Sequence, residues 1–276
     1  MTLSRTEANR QLEDAGLRAK RALGQNFVVD ANTVRKIAHA AGVTSGDHVV
    51  EIGAGLGSLT LALAETGARV LAVEVDDSLM PLLTANVADR GNVSLLHADA
   101  MSLDWGSTLG AADDWALVAN LPYNVATPLV ADILDAVPKV RRMLVMVQKE
   151  VGERFCASPS TPAYGALTVK VDFHATAQVV GIVPPTVFLP RPNVDSALVR
   201  IVRRDQPIAD DVDRDALFSL VRAGFAKRRK MLRGALAGIV SPDHFDAAGI
   251  APTARAEELD VHQWIALWRA RSGGAP

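Results

Sequence analysis

Val50-Glu51-Ile52-Gly53-Ala54-Gly55-Leu56-Gly57-Ser58-Leu59-Thr60 is the stretch on which the fold reading turns. The apolar run His48–Ile52 predicts a buried strand, and the residues from Ser58 on predict a helix. Between them, Gly53, Gly55 and Gly57 let the backbone turn sharply and come close to a ligand. Glu74 stands 21 residues after Gly53, at the end of the next apolar run, Arg69–Glu74. A carboxylate there can accept both hydroxyls of a ribose. The dinucleotide fingerprint needs glycine at position 58, where Ser58 stands. Glu51, just before the first glycine, is more typical of nucleoside-sulfonium binding than of pyrophosphate binding. A tight turn alone also explains the glycines. With Glu74 so placed, nucleoside binding is the better reading.

Outward from this stretch, short Val/Leu-rich runs alternate with amphipathic segments. Strands are predicted at His48–Ile52, Arg69–Glu74, Val93–His97, Trp115–Ala119, Met143–Gln148, Gln178–Val183 and Ala197–Val202. Helices are predicted at Ala31–Ala41, Ser58–Glu65, Ser78–Asn86, Pro128–Leu134, Val151–Cys156 and Gly165–Val171. The alternation predicts an α/β fold with a doubly wound parallel sheet. The last two strands are joined only by a Pro-rich connection, which predicts an antiparallel pair at one edge. Five aspartates between Asp205 and Asp215 read as a linker. Helical patterns alone follow, at Ala216–Ala226, Arg228–Leu236, Asp243–Ala248 and Val261–Arg269. The division predicted is a catalytic domain over 1–204 and a small all-helical domain over 205–276.

The chain of 276 residues is 49% apolar and 22% charged, which supports one or two globular domains and argues against disorder. Its net charge of −2 gives no average signal for nucleic acid, so the distribution of charge decides. The single cysteine, Cys156, permits no intramolecular disulfide and no CxxC site. The six histidines show no metal-ligand spacing, and no metal is expected. With no secretory signal and no membrane-length apolar run, a cytoplasmic protein without a membrane partner is expected.

Two further constellations fall at predicted strand ends. Asp99 follows the third strand, where a carboxylate can accept the exocyclic amine of an adenine; it also suits a loop or a helix cap. Asn120-Leu121-Pro122-Tyr123 follows the fourth. The lone pair of adenine N6 is delocalised into the ring, so two acceptors facing the amine would localise it toward a methyl donor. The Asn120 side-chain oxygen and the Leu121 carbonyl can be those acceptors, with Pro122 restricting where the carbonyl points. Tyr123 offers a face for an extruded base. An Asn-x-Pro turn with a core tyrosine is the simpler alternative.

Six blocks in order carry a resemblance to a known family: Lys20-Arg21-Ala22-Leu23-Gly24-Gln25-Asn26-Phe27, Glu51–Gly57, Asn120–Tyr123, Gln148-Lys149-Glu150-Val151, Tyr164-Gly165, and Phe188-Leu189-Pro190-Arg191-Pro192-Asn193-Val194-Asp195-Ser196. Over residues 18 to 240 the chain resembles the ribosomal RNA adenine N6-dimethyltransferases, in particular the bacterial small-subunit type. The resemblance implies a Rossmann-like S-adenosylmethionine-dependent methyltransferase sheet with a small all-helical C-terminal domain. It also implies S-adenosylmethionine as methyl donor. The acceptors it implies are two adjacent adenosines near the 3′ end of 16S rRNA, each methylated twice, in the small ribosomal subunit or its precursor. By carry-over, Asn26 and the Val28 backbone close over the cofactor, Gly53 and Gly55 approach its methionine part, Glu74 its ribose and Asp99 its adenine. Asn120 lies between cofactor and amine, and Phe188 stacks on the base opposite Tyr123. Ala54 and Val28 stand where the family often has proline and leucine.

RNA contacts are expected first from Arg222, Lys227, Arg228, Arg229, Lys230 and Arg233, six basic residues with no acid among them, read as one basic helix from Phe225 to Leu236. Arg18, Lys20 and Arg21 form a second cluster, and Arg200, Arg203 and Arg204 a third. A monomer is expected. The rival readings are a large-subunit rRNA adenine methyltransferase of the antibiotic-resistance type, a nicotinamide-dependent oxidoreductase, and a non-catalytic ribosome-assembly factor.

Overall fold

A computed structural model describes residues 2–227 and 230–273, apart from the Arg21 side chain. The elements run α1 (Arg5–Asp14), β1 (Phe27–Val28), α2 (Ala31–Ala41), β2 (His48–Ile52), α3 (Ser58–Ala64), β3 (Arg69–Glu74), α4 (Met80–Val87), β4 (Val93–His97), α5 (Trp105–Thr108), β5 (Trp115–Asn120) and α6 (Ala126–Ala136). They continue as β6 (Val140–Gln148), α7 (Lys149–Phe155), α8 (Ala166–His174), β7 (Ala175–Val183), β8 (Phe188–Leu189), β9 (Ser196–Arg203), α9 (Arg214–Ala226), α10 (Leu232–Ala235), α11 (Pro242–Ala247) and α12 (Val261–Ser272).

Seven strands form one sheet in the order β4-β3-β2-β5-β6-β9-β7. The pairs β3–β4, β2–β3, β2–β5 and β5–β6 are parallel, and β9 runs antiparallel to β6. The sheet is doubly wound, as the strand–helix alternation predicts, with β9 and β7 as the neighbours that the Pro-rich connection predicts. Helices α2 and α3 bury Val34, Ile37, Leu59 and Leu63 against Val49, Ala116, Val118, Leu144 and Met146 of the strands. Val34 and Ile37 lie a helical turn apart, and the strand residues alternate, as burial of one helix stripe on one sheet face requires. Asp30 caps α2 by accepting from the Thr33 amide, and Gly42 ends it at φ +64°.

The chain divides into two compact units, and the division is not the continuous one expected at 204/205. One unit is the chain to Gly152 with Gln178–Arg203; the other is Glu153–Ala177 with the chain from Arg204 on. The reason is a shared core: Tyr164, Val169 and Phe173 pack with Leu217, Phe218 and Trp264, and the Tyr164 hydroxyl donates to the Leu259 carbonyl at 2.8 Å. The sequence reading also missed α1, whose Ala8 and Leu12 are buried with Leu79 and Leu83, and the small β1–β8 pair.

The single basic helix expected over Phe225–Leu236 is replaced by the end of α9 at Ala226 and the short α10 from Leu232. The buried stripe of α9 runs Leu217, Val221, Gly224. The Leu232 amide then donates to the Ala254 carbonyl at 2.7 Å. Among the described residues, no helix is long and apolar enough to cross a membrane, and no group of three or more His, Cys, Asp and Glu could hold a metal ion.

Candidate active site

The connections leave β2 and β5 toward opposite edges of the sheet, so the switch point lies between those strands, where open α/β sheets bind ligands at the carboxyl ends. A cleft opens there, lined by Asn26, Glu51, Gly53, Gly55, Glu74, Asn120 and Tyr123 among others. A second cleft, lined by Val73, Asp99, Met101 and Leu129, shares Gly53, Val75 and Pro122 with it. The cofactor residues inferred from the sequence thus converge, although they come from strands far apart in the chain.

The turn after β2 has left-handed backbone at Gly53, Gly55 and Gly57, with φ of +75°, +59° and +85°. A Cβ on Gly57 would also lie 2.9 Å from Leu83 Cδ1, so the close packing of α4 needs glycine there. The Gly53 and Ala54 amides both donate to the Val73 carbonyl, tying the turn to β3. Glu74, at the end of β3, is buried; its Oε2 accepts from the Gly55 amide at 2.7 Å, and its Oε1 from Val75 and Asp76 at 3.1 and 2.9 Å. A carboxylate has about four lone-pair sites, so one ribose hydroxyl can join on Oε2 without displacing the turn.

Glu51 is 1% exposed, and its Oε2 has no hydrogen-bond partner. Burial pushes its carboxyl up to about 8; the Thr60 hydroxyl beside it opposes this and nearby Glu74 adds to it. A buried carboxyl with one oxygen unpaired, lining a cleft, suits a cationic ligand group. Together with the glycine turn and Glu74 it fits S-adenosylmethionine, whose methionine part carries an ammonium.

Asn120 Nδ2 donates to the Asn26 carbonyl at 2.8 Å, which sets the amide and leaves Oδ1 as the acceptor it offers. Leu121 is buried, its amide bonded to Met146 O at 3.1 Å, and Pro122 follows. The Tyr123 hydroxyl lies 3.0 Å from Ser196 Oγ, a buried group at the start of β9. Burial raises the Tyr123 pKa against the opposing Ser196 hydrogen bond, so the ring is held neutral. Asp99 is exposed on the second cleft, and its Oδ1 accepts from the Met101 amide at 2.9 Å, so it both closes a turn and faces the cleft.

Phe188 departs from expectation. It is fully buried, packed with Val28, Leu144 and Met146, and offers no face to a base. Val28, also buried, pairs with it across the β1–β8 ladder.

Among the expected RNA contacts, Arg18 is exposed, while the Lys20 ammonium is held 2.6 Å from Asp76. Arg222, Lys227, Lys230 and Arg233 are exposed; Arg228, Arg229 and the side chain of Arg21 lie outside the described residues. The third cluster is spent on the backbone. Arg203 donates to the carbonyls of Ile133, Leu134, Val137 and Val140, Arg200 to Ala40 O, and Arg204 to Asp172 O. Sequence reasoning missed Asp76 and Ser196. Ser196 stood in a quoted block and Asp76 two residues past Glu74, but nothing in their local sequence says what they hold.

The fold and cleft define an S-adenosylmethionine-dependent methyltransferase. The family model for ribosomal RNA adenine dimethylase matches residues 16–270, and the chain belongs to that family. Ribosomal RNA small subunit methyltransferase A of Streptomyces avermitilis is 47% identical, covering 91% of this chain and 88% of that one. Its counterpart in Cutibacterium acnes is 46% identical, covering 94% and 91%. Among solved structures, the 23S rRNA methyltransferase ErmE matches with a TM-score of 0.69 at 24% identity, over 89% of this chain and 99% of that one. A dimethyladenosine transferase from Plasmodium falciparum matches with a TM-score of 0.72 at 23% identity, over 86% and 94%. At those identities the structural likeness speaks for the fold.

Proposed function

We infer that the protein transfers methyl groups from S-adenosylmethionine to N6 of two adjacent adenosines near the 3′ end of small-subunit rRNA, each twice, during ribosome biogenesis in the cytoplasm. The observation that carries this reading is Asn120, oriented by the Asn26 carbonyl at 2.8 Å and lining the same cleft as the glycine turn, Glu51 and Glu74. Curated relatives named for the small subunit, 46 and 47% identical, favour it over a large-subunit target.

The cofactor, when bound, supplies an electrophilic methyl on its sulfonium. Glu51 and the turn at Gly53 and Gly55 would hold its methionine part, Glu74 its ribose and Asp99 its adenine. The Asn120 Oδ1 and the Leu121 carbonyl would accept from the target amine and draw its lone pair out of conjugation. Tyr123, steadied by Ser196, would stack on the extruded base. Arg222, Lys227, Lys230 and Arg233 of the helical unit, with Arg228, Arg229 and the arm at Arg18 and Arg21, would contact phosphates. The protein acts as a monomer in this reading.

The test is incubation with labelled S-adenosylmethionine and small subunits from cells lacking the enzyme, followed by mapping of modified adenosines by mass spectrometry. Two adjacent dimethyladenosines near the 3′ end are expected. Label on large subunits alone would move the reading to the other branch of the family, and no label on either would favour a non-catalytic assembly role.

A further inference from the structure

Asp76 lies two residues past Glu74 and is 3% exposed. A carboxylate buried to that depth needs donors, and it has four. Its Oδ1 accepts from the Lys20 ammonium and the Ser78 hydroxyl, both at 2.6 Å, and from the Ser78 amide at 3.1 Å. Its Oδ2 accepts from Gln25 Nε2 at 2.7 Å. Two of these donors, Lys20 and Gln25, belong to a loop more than 50 residues away in sequence. Gln25 also closes that loop on itself, its Oε1 accepting from the Lys20 amide at 2.7 Å.

The loop leads straight into the cleft. Gly24 has a φ of +63°, and a Cβ there would lie 2.9 Å from Asn124 Oδ1 and 3.1 Å from Pro122 Cβ, so the backbone lies close against the loop after β5. Its next residue but one, Asn26, takes the Asn120 bond. The segment from Gly24 to Val28 is therefore fastened at one end to Asp76 and farther along to Asn120. On the far side, the Asp76 amide donates to Glu74 Oε1 at 2.9 Å, so the fastening and the ribose-facing carboxylate share three residues.

We propose that Asp76 is a positioning residue, and that the Lys20–Asp76–Gln25 cluster is a clasp that holds Gly24–Val28 over the cleft and sets how long the cofactor stays. This rests on reading the cleft as the S-adenosylmethionine site. Burial works to raise the Asp76 carboxyl, but Lys20, Ser78 and Gln25 outweigh it and hold it at about 2, so the clasp is charged at any ordinary working pH. The Lys20 side chain is 43% exposed against 1% for Asp76, so the cation can swing away into water without opening the core. A ligand covered by such a segment leaves only when the segment opens, and loosening the clasp should act on dissociation.

The test uses the full chain with S-adenosylhomocysteine as probe. Lys20→Met and Asp76→Asn should each weaken its affinity about tenfold through faster dissociation. Amide exchange over 22–28 should quicken about tenfold without change in β2 and β5. Lys20→Arg should restore most of both, and in turnover the loss should fall on KM for S-adenosylmethionine rather than on kcat. Should Asp76→Asn fail to fold, Lys20→Met, which alters an exposed side chain, still decides the matter. Parental affinity in a folded Lys20→Met variant, or weaker binding without faster exchange over 22–28, overturns the clasp. If the parent itself does not bind S-adenosylhomocysteine, the cofactor reading falls and the clasp with it. If the parent binds and the variants match it, only the clasp falls.

Discussion

Glu51 has a buried carboxyl whose Oε2 lacks a partner, and it lines the cleft. Its pKa in the fold is about 8 against an ordinary 4.5, so the folded chain holds the proton more tightly than the unfolded one. The stability this confers is complete below about pH 4.5 and is lost as pH rises toward 8. Ligand-free Glu51→Gln should flatten the fall in Tm over that window, a difference on the order of 5 kcal/mol across it. Thermal unfolding at a series of pH values checks this, and parallel curves for the two proteins would count against it. Asn120 belongs to the chemistry rather than to the titration. Asn120→Ala should leave the fold intact and lower single-turnover methylation at least about a hundredfold, the scale of losing a polar group that acts in the transition state. Near-normal single turnover would remove the amine-polarising role.

At the scale of elements, arginines that read as a basic patch are structural. Arg203, at the end of β9, reaches carbonyls at the carboxyl end of α6 and just beyond, at 2.9 to 3.2 Å. The Ile133 and Val137 carbonyls also take the Val137 and Val140 amides, at 3.0 and 3.1 Å, and a guanidinium with five donors bonds several carbonyls at this helix end at once. Arg203→Met should cost about 2–4 kcal/mol in urea unfolding, with no change in the salt dependence of RNA binding. A variant of parental stability but altered salt slope would return Arg203 to the RNA surface. Phe188 makes the same point with an apolar side chain. On a Pro-rich loop it looks available to a base, yet the two-residue ladder with β1 carries it into the core.

Over the whole molecule the formal charge is only −2, and the arrangement matters more than the sum. In the helical unit, Arg222, Lys227, Lys230 and Arg233 are exposed. If they meet phosphates, changing all four to Gln should weaken binding to small subunits. It should also reduce the log–log salt slope by about 0.7–0.9 per lost contact. Affinity for S-adenosylhomocysteine should hold, since Glu51, Glu74 and Asn120 belong to the other unit. Titration at several salt concentrations, after a circular-dichroism check of helicity, gives the answer; an unchanged slope takes these residues off the RNA surface.

Local pattern was enough for much of this protein. The strands of the sheet are apolar runs bounded by turn residues, and the glycine turn, Glu74 and Asn120 each follow such a run, so strand ends could be read before any contact was known. A parallel sheet then brings strand ends together by topology alone, which is why the cleft was legible. What only the tertiary structure decided depends on partners distant in sequence. The core shared by Tyr164 and Trp264 draws Glu153–Ala177 into the helical unit. Lys20 proves to be an ion-pair partner because a buried Asp76 must find a cation. Arg203 proves to be a cap because the fold sets its guanidinium against the carbonyls at the end of α6. A charge shows its sign in the sequence, but whether it faces water, a phosphate or a buried acid is set by what the fold leaves unsatisfied beside it.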